Sequence, residues 1–157
     1  MPGRRRFERA GRGEVRLRLP RTERAVLRSL PAELRSLLAD EPEDPTLERL
    51  FPPAYEDAED ESEYRKLMHD ELLDGRRRAL AVVEETVEHD RLSAEQAQAW
   101  LTALNDLRLV LGTRLGVTEE MFLEAVDPRD PRAPEMALYV YLSWLQEQLV
   151  EALEPGP

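Results

Sequence analysis

The sequence predicts a mainly α protein, a compact helical bundle with a small N-terminal β-hairpin packed on it, forming a single domain over residues 1–157. Three observations lead there. Apolar residues recur at helical spacing over most of the chain, Pro and helix-capping residues punctuate the runs, and strict alternation is confined to one stretch near the start. At 157 residues the chain is long enough to bury about two thirds of its unfolded surface, so one real core is expected. Hydrophobic residues make up 41% and charged residues 35%, the balance of helices with wide solvated faces rather than of a disordered chain.

Residues 1–20 read as a basic β-hairpin. Val15, Leu17 and Leu19 alternate with Arg16 and Arg18, and Gly11-Arg12-Gly13 supplies the turn. Phe7 falls on the apolar side, which must lie on the helical body because an isolated two-stranded ribbon is marginal in water. Residues 21–55 read as short helices. Ala25, Val26, Leu30, Leu34, Leu37 and Leu38 have helical spacing, but Pro31 lacks a donor and clashes with the preceding turn, so two helices or a kink are expected there. Asp44-Pro45 opens one more short turn, stopped by Pro52-Pro53.

Residues 56–61 form an acidic loop, and residues 62–153 hold the core of the bundle. A long helix is expected from Ser62 to His89 with Tyr64, Leu67, Leu72, Leu80, Val83 and Val87 as its buried stripe. Ser93 with Gln96 makes a capping box for the next helix, which runs to Leu115. A short helix from Thr118 to Val126 follows, and the Asp-Pro pairs at 127–128 and 130–131 mark a loop. The last helix starts near Pro134 and ends by Leu153.

Charge is distributed unevenly. Residues 1–28 carry ten arginines against Glu8, Glu14 and Glu23, while the whole chain has a net charge of −11, so a basic head sits on an acidic body. Arginine supplies all the basic residues except Lys66, a bias of GC-rich genomes. The head can serve as a solubilising ribbon that neutralises the acidic stretch beyond residue 40, or can contact nucleic acid through phosphates. The acidic body repels DNA and no helix-turn-helix glycine turn is evident, so protein binding is favoured over sequence-specific DNA reading.

The helix from Ser93 is the most informative. On a wheel at about 100° per residue, Leu104, Leu107, Leu111 and Leu115 lie within about 60° of Trp100 and Leu109 lies opposite, the pattern of a central helix. Arg108 and Arg114 fall inside the apolar arc, where an unpaired guanidinium costs several kcal/mol. Two readings satisfy them: ion pairs with Asp106 or carboxylates of the long helix, or a pocket for a nucleotide or other anion gripped by the guanidinium forks. No Gly-rich phosphate loop accompanies them, and Gly112 and Gly116 read as capping glycines. In the last helix Leu138, Tyr141, Leu142, Leu145 and Leu149 share one face, with Val140 and Trp144 on another. That second stripe either packs on a neighbouring helix or forms a partner or homodimer surface.

Several function classes lose support. Cysteine is absent, which removes disulfides and thiolate ligands, and His69 and His89 lack metal-ligand spacing. No serine stands in a Gly-x-Ser-x-Gly context. No metal, cofactor or catalytic site is expected. No apolar run suggests a signal or membrane span, so a cytoplasmic protein is expected.

Three blocks carry a family resemblance: Leu47-Glu48-Arg49-Leu50-Phe51-Pro52-Pro53-Ala54-Tyr55; Trp100-Leu101-Thr102-Ala103-Leu104-Asn105-Asp106-Leu107-Arg108-Leu109-Val110-Leu111-Gly112-Thr113-Arg114-Leu115-Gly116; and Trp144-Leu145-Gln146-Glu147. With the basic head, they resemble the actinobacterial AosR family, long catalogued as a domain of unknown function. The resemblance implies an oxidative-stress-linked transcription regulator acting through a sigma factor or RNA polymerase. That family's gene neighbourhood, beside a Clp adaptor and cysteine-synthesis genes, adds a Clp protease-associated adaptor as a further reading. These residues contain no cysteine, so they cannot sense oxidants through a thiol.

Overall fold

A computed structural model describes residues 5–40, 44–50, 62–116 and 129–154. The chain begins with strand β1 (Phe7–Arg9), a tight turn and strand β2 (Val15–Leu17), followed by helix α1 (Arg21–Asp40) and a 3₁₀ turn (Pro45–Leu50). Helix α2 (Ser62–Thr86), strand β3 (Arg91–Leu92), helix α3 (Ala94–Leu115) and helix α4 (Ala133–Leu153) complete it. The acidic loop expected over 56–61 and the short helix expected over 118–126 lie outside the described residues.

The hairpin turn places Arg12 at φ 65° and Gly13 at φ 77°, so the left-handed backbone falls on both. The ribbon is one strand larger than expected. β1, β2 and β3 form an antiparallel sheet in that order, with Phe7 opposite Leu17, and Val15 opposite Leu92. These four side chains make the buried face, and the ring of Phe7 meets Trp100 edge-on at 6.0 Å. β3 gave no sequence signal because two residues are too few to show alternation. Arg24 of α1 secures the strand's approach, donating to the carbonyl oxygens of Leu19 (2.9 Å), Val87 (3.0 Å) and His89 (2.8 Å). It thereby caps the end of α2 and holds the chain that leads into β3.

Residues 21–40 form one helix rather than two, with Pro31 inside it. Pro31 lies on the same buried stripe as Leu27, Leu34 and Leu38. Burial of that stripe against the bundle offsets an interior proline's cost of roughly 3 kcal/mol. Asp44 closes the following 3₁₀ turn, its Oδ1 accepting from the Thr46 amide at 2.8 Å. Leu47 and Leu50 of that turn are buried against α3.

Of the stripe expected on α2, Leu80, Val83 and Val87 are buried, but Leu67 is exposed, as are its neighbours from Lys66 to Glu71. The capping box forms as expected: the Gln96 amide donates to Ser93 Oγ (3.1 Å) and the Ser93 amide to Gln96 Oε1 (2.8 Å). α3 touches α1, α2, α4, the 3₁₀ turn and β3, and so occupies the centre of the bundle. Gly116 caps it in the left-handed conformation. Gly112 is no cap: it is buried inside the helix, and a Cβ there would come within 2.8 Å of the Tyr139 ring. The small residue lets α4 approach.

Candidate interaction surfaces

The sheet's outer face carries the arginines singled out in the head. Glu8 stands opposite Arg16, and Arg16 opposite Arg91, in one row across the three strands. Arg18 Nε pairs with Glu8 at 3.0 Å and Arg91 Nη1 with Glu14 at 3.6 Å. Among the described residues Arg16 makes no ion pair. Like charges directly opposite one another across strands are mildly destabilising, so Arg91 disfavours Arg16, whose favourable cross-strand neighbour is Glu8. Chemically the row offers guanidinium forks to carboxylates or phosphates.

This face is held to the body by a cluster at the other side of the ribbon. Arg6 donates through Nε and Nη2 to both oxygens of Glu23 at 2.9 Å. Its guanidinium lies 5.2 Å from the centre of the Trp144 ring, and its amide donates to Gln148 Oε1 at 2.7 Å. The Tyr141 hydroxyl donates to Glu23 Oε1 at 2.6 Å. Sequence alone grouped Trp144 with Val140, and the structure separates them. Trp144 is half-buried against Arg6 and Tyr141, whereas Val140 is 51% exposed.

Burial works to raise the Glu23 pKa, but the hydrogen bonds from Arg6 and Tyr141 outweigh it and hold the carboxyl below its ordinary value. The Tyr141 hydroxyl is pushed up, by burial first and then by the carboxylate it serves. Because the unfolded chain binds a proton on Glu23 at higher pH than the folded chain does, the resulting stability is present above the ordinary glutamate range and lost as pH falls through the depressed value. The melting temperature is therefore expected to drop as pH is lowered across that window. In Glu23→Gln it should start lower at neutral pH and fall less steeply, and an unchanged acid slope would refute the assignment.

Among the described residues, Arg108 has other partners than the carboxylates of the ion-pair reading. Arg108 Nε donates to Gln146 Oε1 (2.7 Å) and Nη2 to Asn105 Oδ1 (3.0 Å), so its partners are amides on α3 and α4 rather than carboxylates. The open pocket beside it, about 470 Å³, is also lined by Glu147 and Glu151, which disfavours an anion. Arg114 is exposed, on a different side of α3, at the rim of a groove between α1, α3 and α4. Asp106 serves neither. It is fully buried and pairs with Arg76 of α2, a residue the sequence did not mark. The long helix contributes the cation and α3 the carboxylate, the reverse of the arrangement expected. The signal was the lone acidic position on the buried side of α3.

No group of His, Asp or Glu among the described residues could hold a metal ion, and no described helix is long and apolar enough to cross a membrane. Ser29 donates to the Val26 carbonyl at 2.8 Å and Ser93 caps α3, so these hydroxyls are engaged by helix backbone.

The described residues thus form a helical bundle with a charged sheet face and an open groove. The chain belongs to the family described as a domain of unknown function, DUF2017, which matches residues 4–153. A protein of Mycobacterium leprae (strain TN) that carries the name AosR is 37% identical, the match covering 73% of this chain and 61% of that protein. The "Oxidative stress regulator AosR" of Mycobacterium tuberculosis (strain ATCC 25618 / H37Rv) and that of Mycobacterium bovis are each 33% identical, with the same coverage. The chain thus spans about three fifths of the length of these relatives. No solved structure matches it significantly.

Proposed function

We propose that the chain is a non-enzymatic regulatory protein that acts in the cytoplasm by binding another protein, and that its target is the transcription machinery, a sigma factor or RNA polymerase. Its relatives' names support the regulatory part. The observation that carries the binding part is the row on the sheet's outer face, where Arg16 lies between Glu8 and Arg91 without an ion pair of its own among the described residues. An acidic partner surface neutralises that row. With no cysteine in the chain, it does not sense an oxidant through a thiol of its own.

Affinity purification of the tagged chain from a lysate of its native host tests this. RNA polymerase or a sigma factor should be retained and released by salt, because the contact is electrostatic. Arg16→Glu should weaken retention at least fivefold, about 1 kcal/mol, while shifting stability by no more than about 0.5 kcal/mol, since the side chain is exposed. Recovery of neither protein, or recovery indifferent to Arg16→Glu, would overturn the proposal. A competing DNA duplex that strips the partner would redirect the sheet face to nucleic acid.

A further inference from the structure

The groove at Arg114 is independent of the sheet face and opposite to it in charge. Its floor is Leu107, Val110 and Leu111 of α3, and its volume is about 740 Å³. α1 forms one wall with Leu30, Glu33, Leu37 and Asp40, spaced so that they make an outer stripe beside the buried stripe of the same helix. Leu138 and Glu135 of α4 form the other. The trough is therefore apolar along its bottom, and among the described residues its walls carry three carboxylates against the one cation of Arg114.

From these features we infer that the groove is a docking site for an amphipathic helix of a partner protein, with Leu, Ile or Val anchors on one face and Lys or Arg along its flanks. Length sets the first part. The wall from Leu30 to Asp40 covers eleven residues of α1, whose ten steps span roughly 15 Å at 1.5 Å each, which matches about three turns of a bound helix. Anchors at i, i+3 or i+4 and i+7 would follow the floor. Charge sets the second part. Glu33, Asp40 and Glu135 complement basic flanks and repel acidic ones, which gives specificity as well as faster encounter. The described floor residues Leu107, Val110 and Leu111 carry no polar side-chain group of the kind that orients a small molecule. This docking site stands whether or not the partner belongs to the transcription machinery.

The test uses the full chain and three fluorescein-labelled 18-residue peptides: an amphipathic Leu/Lys helix, its Leu/Glu counterpart with the same apolar pattern, and a Lys/Ser peptide of equal charge without anchors. The Leu/Lys peptide should bind and shift the methyl resonances of Leu30, Leu37 and Leu138, while the other two bind at least tenfold more weakly. Glu33→Arg with Glu135→Arg should weaken the Leu/Lys peptide tenfold or more, and Arg114→Glu should strengthen it. Thermal melts of each variant verify that the fold is intact. Equal binding of the Lys/Ser peptide would reduce the effect to attraction by an acidic protein and overturn the inference, as would methyl shifts confined to other regions. Dimerisation of the free chain that the rim reversals abolish would assign the groove to a second copy instead and equally overturn it.

Discussion

Asp106→Ala is expected to destabilise the fold by about 3–5 kcal/mol, a large part of the roughly 5–15 kcal/mol that holds a domain together. Asp106 is fully buried in the middle of α3, and its partner Arg76 is itself mostly covered. Removing the carboxylate takes from the mostly covered Arg76 guanidinium its Asp106 partner, while its bond to the Leu50 carbonyl remains. Much of the loss is thus the cost of leaving the Arg76 guanidinium with fewer polar partners rather than the net value of the pair. The double variant Arg76→Met with Asp106→Leu separates these, since neutralising both sites with apolar side chains should recover most of the stability that Asp106→Ala forfeits. Urea unfolding of the four proteins in the cycle measures this. A double variant as weak as Asp106→Ala would show that the pair is net stabilising, and a single variant within 1 kcal/mol of wild type would remove the pair from the core's accounting.

The same carboxyl supplies a sign that can be checked against Glu23. Burial pushes the Asp106 pKa above its ordinary value, more than Arg76 draws it down. A raised folded pKa means that the native chain holds the proton longer, so this contribution is complete below the ordinary aspartate range and is lost as pH rises through the raised value. Glu23 has the opposite slope. Asp106→Asn should therefore remove a loss of stability with rising pH, and Glu23→Gln a loss with falling pH.

These two carboxylates also mark how far the sequence could be read. Helix positions, the capping box at Ser93 and the central place of α3 follow from spacing, because a stripe of Leu and Trp every third or fourth residue has one low-energy use. Partner choice does not follow from spacing. Arg108 and Asp106 are two residues apart on one helix, and the wheel put Arg108 inside the apolar arc but not Asp106; which side chain meets which depends on where α2 and α4 cross. Arg76 belongs to an arginine run at 76–78 whose members look alike in sequence. Only the crossing of α2 over α3 distinguishes it. Pro31 fails for a related reason: the local rule that breaks a helix is a cost of a few kcal/mol, and burial of Leu27, Leu34 and Leu38 on the same stripe exceeds it. Gly112 was read as a cap because glycine near a helix end usually is one, whereas the Tyr139 ring that requires it comes from a helix twenty-seven positions further along.

Trp100→Ala should cost a similar 3–5 kcal/mol, but with a different spatial signature. The indole is completely buried, its N–H donates to Thr86 Oγ1 at 2.7 Å, and Thr86 in turn donates to the Val82 carbonyl at 2.6 Å. One side chain thereby ties α3 to the end of α2, and its ring edge supports Phe7 beneath the sheet. Truncation opens a cavity exactly where the three strands rest on the bundle, and three short strands have little stability of their own. Amide hydrogen exchange should therefore accelerate at Phe7–Arg9 and Val15–Leu17 well beyond the change in α4, while Trp100→Phe, which keeps an aromatic ring but loses the N–H and part of the indole's volume, should cost less, about 1–3 kcal/mol, and leave the strands better protected than Trp100→Ala does. Uniform acceleration across sheet and helices would mean that the ribbon and the bundle unfold as one unit, and that Trp100 holds the core in general rather than the basic face in particular. If the strands alone loosen, binding through Arg16 should weaken in Trp100→Ala although no charge has changed, because the row of arginines keeps its spacing only while the sheet is seated.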